Sequence, residues 1–159
     1  MKTISSFPLL LAVILTACAP ASTPAPASTP IGFVFSSVEV VDKFYKTINE
    51  AQTESDLLTA YNMLTTAAMC KPSIAPSCDS SSFQTRWWKS KVVYKLYDCG
   101  DNVVIAEEMR YPRSDTSPST PAALKFSRFK LKQTEDGLLI DDISPAQAPG
   151  DGCVLFVES

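Results

Sequence analysis

Histidine is absent from the 159 residues, and that absence excludes more chemistry than any other feature of the chain. Imidazole is the side chain that most often moves protons or binds zinc near neutral pH. No Ser-His-Asp triad, Cys-His pair or histidine-held metal centre can therefore be built here. Positive charge is also in short supply: 14 Lys and Arg face 17 Asp and Glu, a net charge of −3 that becomes −4 if Lys2 is lost with a cleaved leader. Such a balance argues against a nucleic-acid partner, whose phosphates need a basic face. A long hydrophobic run is missing as well. The apolar stretch from Ile4 to Leu15 falls short of the roughly 20 residues that cross a bilayer as a helix. Finally, the closest cysteines in the body of the chain, Cys70 and Cys78, have seven residues between them. That spacing supports neither a C-x-x-C zinc site nor a C-x-x-C redox motif, so no metal and no cofactor is expected.

What is present suffices for one folded domain. Hydrophobic residues make up 45% and charged residues 19% of the chain, a globular balance with enough apolar material for a single core. The apolar stretch behind Lys2 has the length of a signal-peptide h-region. It ends in Leu15, Thr16, Ala17 and Cys18, which resembles the bacterial lipobox, where a thiol is lipidated and the chain is cut just before it. Residues 1–17 are thus expected to be a signal peptide and Cys18 the lipidation site, with the acyl chains as the membrane partner. Ala19 at the next position resembles lipoproteins sorted to an outer membrane where the host has one; otherwise the outer face of the cell membrane is expected. Ala19 to Pro30 contains only Ala, Ser, Thr and Pro and reads as an extended tether, completing a segment 18–30. Residues 31–159 are read as one α+β domain.

Within that domain Ser36 and Glu39 have capping-box spacing, followed by Val40, Val41, Phe44, Tyr45 and Ile48 at helical intervals, which predicts a helix over 37–51. Thr53 to Asp56 repeats the start signal, and Leu57, Leu58, Tyr61, Leu64 and Ala68 predict a second helix ending near Met69. A short third helix is expected from Ser82 to Lys89. The period then changes to two. Lys91 to Asp98 and Val103 to Tyr111 read as strands joined by a four-residue turn, Cys99 to Asn102. A tight turn of that length pairs Tyr94 with Glu107, placing Glu107 on the inner apolar face and Lys95, Glu108 and Arg110 on the solvent face. A Pro/Ser/Thr-rich connection, 112–121, leads to a strand from Leu124 to Lys132 and, after Glu135 to Gly137, to another from Leu138 to Ile143.

The run Val41 to Asn49, the run Ala60 to Leu64, Phe83 with Trp87 and Trp88, and the closing Asp136 to Asp141 together resemble the nuclear transport factor two-like superfamily over most of residues 36–143. The resemblance implies helices laid in the concave face of a curved antiparallel sheet, a cone that often encloses a pocket. Leu138 stands where an aromatic is common, and the tail 144–159 runs past the usual end. In ketosteroid isomerase, scytalone dehydratase and SnoaL-like cyclases of this superfamily, an acid or histidine sits inside the cone. The analogous candidate is Glu107, a general base if buried, with the phenol of Tyr94 or Tyr45 as donor to an oxyanion; a carboxylate at the sheet rim is the plainer alternative. Tyr45, Tyr61, Trp87, Tyr94 and Glu107 are the candidate pocket residues, although for Trp87 and Trp88 core packing of one and partial exposure of the other is the favoured reading.

With Cys18 lipidated, four cysteines remain in an exported chain, and they allow three pairings. Cys70 with Cys78, closing the loop after the second helix, and Cys99 with Cys153, pinning the tail to the hairpin, are favoured. The sequence thus suggests a non-catalytic module binding a small apolar ligand or an envelope protein, with a homodimer possible. The alternative is a small isomerase or dehydratase working through Glu107.

Overall fold

The structure, a computed structural model, describes residues 36–114 and 123–158. The expected signal peptide, Cys18, the expected tether and most of the 112–121 connection lie outside the described residues. The described part is α+β. Helices α1 (Ser37–Glu50), α2 (Leu58–Tyr61), α3 (Thr66–Met69) and α4 (Ser80–Trp88) precede five strands: β1 (Ser90–Asp98), β2 (Val103–Pro112), β3 (Lys125–Thr134), β4 (Gly137–Pro145) and β5 (Val154–Glu158). These strands form one antiparallel sheet in the order β4-β3-β2-β1-β5.

Helix α1 starts where its cap says it should. The Ser36 hydroxyl accepts from the Glu39 amide at 3.3 Å and the Glu39 carboxylate accepts from the Ser36 amide at 2.7 Å, so two otherwise orphaned N–H groups are satisfied. Its inner stripe of Val38, Val41, Phe44, Tyr45 and Ile48 is fully buried. Asn49 clamps the helix to β1 by donating to the Val92 carbonyl at 2.7 Å and accepting from the Val92 amide at 2.8 Å. Beyond the helix end, Arg113 reaches back: its guanidinium donates to the carbonyls of Ile48 (2.6 Å), Ala51 (2.9 Å) and Trp88 (2.9 Å) and lies 4.3 Å over the Trp88 ring. One cation at the end of β2 thereby satisfies the C-terminal carbonyls of both α1 and α4, where the helix dipoles favour positive charge.

The single second helix expected up to Met69 is broken. A 3-10 turn at Glu54–Leu57 runs into the one-turn α2, and α3 is separate. The cause is the sheet. The Ile140 amide donates to the Met63 carbonyl (2.9 Å) and the Thr65 amide to the Ile140 carbonyl (2.8 Å), so residues 63–65 leave the helical path to lie along β4. Thr65 then caps α3 through its hydroxyl. The third helix begins earlier than Ser82, because Asp79 is its N-cap and accepts from the Ser82 amide at 2.7 Å.

The β1–β2 hairpin corrects the expected register. The Cys99 amide donates to the Val103 carbonyl at 3.0 Å, so the loop is three residues, Gly100 to Asn102, rather than four. All three have positive φ (74°, 49° and 57°), which glycine takes freely and Asp and Asn tolerate. The loop is held from outside as well: Asn102 accepts from the Ser37 hydroxyl at 2.9 Å, and its carbonyl accepts from the Leu131 amide at 2.8 Å. Shortening the loop by one residue moves the pairing by one. Tyr94 faces Glu108, Leu96 faces Ala106 and Val92 faces Arg110. Because side chains alternate across a sheet, a slip of one residue exchanges the faces of β2.

The tail 144–159 adds a strand that periodicity did not reveal. β5 pairs with β1 through Lys95 to Asp98, and a disulfide joins Cys99 to Cys153 just before it. The pinning of the tail to the hairpin is thus as expected. Cys70 and Cys78 stand as free, exposed thiols rather than a second disulfide.

Candidate functional site

The inner face of the sheet is filled by rings. Phe44 lies 5.2 Å from Trp87, 6.0 Å from Phe129 and 6.3 Å from Phe83, all edge to face, and Tyr45 stacks on Tyr94 at 4.6 Å. Such contacts add to what area burial alone contributes. Where a cone would hold a ligand, the described residues place side chains with almost no exposure.

One acidic group sits within this packing, Glu108, at 2% exposure. Its carboxylate accepts from the Ser127 hydroxyl at 2.5 Å, from the Tyr45 phenol at 3.1 Å, and from one Arg110 nitrogen at 3.2 and 3.3 Å. Helix α1 and strands β2 and β3 each contribute a partner. Arg110 also lies 4.4 Å over the Trp87 ring, so its charge is shared between a carboxylate and an aromatic face. Burial, and after it the charge of Glu108, holds the Tyr45 phenol well above its ordinary pKa, so Tyr45 is a permanent donor here. A carboxylate offers about four lone-pair sites, and here four contacts reach its two oxygens. Three donors, with the Arg110 nitrogen shared between both oxygens, make the group a polar staple between α1, β2 and β3.

Glu107 lies on the opposite face, half-buried, where its carboxylate accepts from the Tyr97 phenol at 3.0 Å. It is not inside a cone, and the general-base role expected of it has no geometric support. Tyr94 is buried, but its hydroxyl donates to Asp42 at 2.9 Å, away from Glu107; Asp42 in turn pairs with Lys46 at 2.7 Å. Tyr61 is half-buried with its ring 5.4 Å from Phe83. Trp87 is a core residue whose Nε1 is buried without a partner. The structure thus brings Tyr45, Trp87 and Tyr94 together, leaves Tyr61 at their margin, and removes Glu107. Sequence reasoning missed Glu108, Arg110 and Ser127, although the adjacent acids Glu107 and Glu108 always meant that one of the two would face inward.

Two concavities border these elements. A cavity of about 140 Å³ lies beside the staple, lined by Trp87, Arg110, Ser127 and Arg86 among others. A larger open groove of about 570 Å³ runs between α3 and the β3–β4 turn, lined by Asn62, Thr65, Lys132 and Asp141. The Thr65 hydroxyl donates to Asp141 across its floor at 2.8 Å. Both linings mix apolar and polar side chains, with Leu64, Met69 and Leu139 in the groove and Phe126 and Ile143 beside the staple.

Exposed apolar side chains collect elsewhere. Val154, Leu155 and Phe156 of β5 are 69%, 48% and 57% exposed, and Val93 of β1 is 43% exposed. Among the described residues β5 is an edge strand, and residues 154–157 carry no charge or proline to blunt it. The opposite edge, β4, is partly covered by residues 63–65 and carries Asp141, Asp142 and Pro145. Lys71 binds Asp142 at 2.6 Å. Burial would raise that acid, but its hydrogen bonds from Lys71 and Ser144 and the nearby cations outweigh it and hold Asp142 below the usual carboxylate range. Among the described residues no group of three or more acidic or cysteine side chains could hold a metal, and no helix is long and apolar enough to cross a membrane. Comparison of the chain with protein-family models, curated proteins and solved structures gives no match.

Proposed function

We propose that the protein is an envelope lipoprotein, anchored through Cys18, whose domain is a nuclear transport factor two-like module that binds a protein partner and is not an isomerase or dehydratase working through Glu107. The observation that carries this reading is the contrast between a closed interior and an open edge. The inner face is packed with rings, and its one carboxylate is engaged by Tyr45, Ser127 and Arg110. At β5, unblunted backbone and three exposed apolar side chains are offered together. The partner this edge fits is an envelope protein presenting an extended, apolar segment. Such a segment adds a strand through main-chain hydrogen bonds and seats alternate side chains beside Leu155 and Val93. An anchor that holds the domain at a membrane surface suits a partner confined to the same surface.

A photoreactive phenylalanine analogue at position 156, in the full-length protein in cells of its host, tests this reading. A discrete crosslinked product, lost when Leu155 is replaced by Lys, is expected. A product made only of two copies of the chain would replace the heterologous partner with a homodimer, and the absence of any product at positions 155 and 156 would overturn the interaction reading. Cys18→Ala is expected to abolish acyl labelling and release the protein from the membrane fraction; retention there with no acyl group on the wild type would overturn the anchor.

A further inference from the structure

The cysteines divide into two pairs with different surroundings. Cys99 and Cys153 are joined across 54 residues and tie β5 to the hairpin. Cys70 and Cys78 are both exposed and both free, yet they are neighbours: the Cys70 thiol lies close enough to push the Cys78 thiol up. The chain between them is organised to bring them together. Cys70 closes α3, the amides of Ile74 and Ala75 both donate to the Lys71 carbonyl (2.8 and 2.9 Å), and the Cys78 amide donates to the Ala75 carbonyl at 3.2 Å. Cys78 takes φ +57°, a left-handed conformation that side chains rarely adopt, and so turns the chain into Asp79, the cap of α4.

This loop does not depend on sulfur for its shape. Ile74 and Ala75 are fully buried, Lys71 is held by Asp142 at 2.6 Å, and the Ser73 hydroxyl donates to the Ile143 carbonyl at 3.3 Å. On the chain-entropy account, a disulfide across this short loop restrains the unfolded chain less than one across 54 residues. Exposed sulfurs are also open to in-line attack, which thiol–disulfide exchange requires.

We propose that Cys70 and Cys78 form a surface dithiol that exchanges reversibly with a disulfide, separate in role from the structural Cys99–Cys153 bridge. In the oxidising direction the Cys70 thiolate attacks one sulfur of a donor disulfide. That step releases one donor thiol and leaves a mixed disulfide on Cys70. The Cys78 thiolate then attacks the Cys70 sulfur and releases the second donor thiol. The protein loses two protons and two electrons, and the donor disulfide leaves as two thiols. Cys70 is assigned as the attacking sulfur because its neighbourhood disfavours the thiolate of Cys78. The exchange would stiffen or free the junction of α3 and α4, where Tyr61 and Phe83 meet the core.

The test uses the full-length protein in detergent, equilibrated in glutathione buffers of graded thiol-to-disulfide ratio, quenched by alkylation and read by peptide mass spectrometry. Cys70–Cys78 is expected to reach half reduction in a buffer at least roughly tenfold less reducing than Cys99–Cys153 requires, about 30 mV for a two-electron couple. In Cys78→Ser, Cys70 is expected to accumulate as a glutathione adduct, and faster than Cys78 does in Cys70→Ser. Free thiols at 70 and 78 in every buffer, reduction of both pairs together, or a bond from Cys70 to Cys99 would each overturn the proposal.

Discussion

Glu107 and Glu108 are neighbours in sequence and occupy opposite sides of the same sheet. Glu108 is enclosed, with every oxygen engaged by Tyr45, Ser127 and Arg110. Glu107 is half-buried on the outer face with one phenol, Tyr97, as its partner. The two faces around them differ in the same sense. The inner face is sealed by aromatic rings; the outer face and its β5 edge leave Val93, Leu155 and Phe156 exposed. The comparison teaches that chemistry on a strand is decided by register before it is decided by residue type, since one residue of slip would exchange every attribute of these two acids.

The largest effect that would break the comparison is Glu108→Ala. Removing the carboxylate leaves the partly exposed Arg110 without its ion-pair partner and the buried Tyr45 phenol without its acceptor, so a loss of about 2 to 4 kcal/mol is expected in urea unfolding. Next is Tyr45→Phe, expected to cost about 1 to 2 kcal/mol by leaving Glu108 one donor short. This variant also changes the pH dependence. The folded-state pKa of Tyr45 lies above the value near 10 that it has when unfolded, so its contribution is complete below pH 10. Above that the unfolded chain ionises and the folded one does not, and stability falls as pH rises. A shallower alkaline limb in Tyr45→Phe than in the wild type checks this. Glu107→Ala, by contrast, removes a single outer-face hydrogen bond and should cost no more than about 1 kcal/mol. Smallest of all, Phe156→Glu is expected to stay within about 0.5 kcal/mol of wild type, as surface changes do, while abolishing crosslinking from a photoreactive analogue placed at position 155.

Much of the architecture was legible before any coordinates. The Ser36–Glu39 box, the helical spacing through Ile48 and the alternation of β1 report local physics, and local physics prevails there. The union of Cys99 with Cys153 was one half of the favoured pairing among three; the other half, Cys70 with Cys78, is not formed. What was not legible depends on distant groups. The break after Tyr61 exists because β4 takes the amide and carbonyl groups of residues 63–65, and no signal in the helix itself announces that. The three-residue hairpin loop rests on Ser37 and Leu131, each far away in sequence. The pattern of β2 was misleading for a physical reason. Val103, Ile105, Met109 and Tyr111 make its outer face the more apolar one, yet the inner positions had only to fit beneath rings supplied by α1 and α4. Small Ala106 and a mutually satisfied Glu108 and Arg110 do so. Arg113, read only as the start of a loop, acts on helix ends that no linear pattern connects to it.

The register of the β1–β2 hairpin is the point on which the closed interior, the polar staple and the apolar edge all turn, and backbone proton contacts in a nuclear magnetic resonance spectrum of the domain read it directly. The account predicts cross-strand α-proton contacts joining Tyr94 to Glu108 and Leu96 to Ala106. Contacts joining Tyr94 to Glu107 and Leu96 to Ile105 instead would return Glu107 to the interior and contradict it.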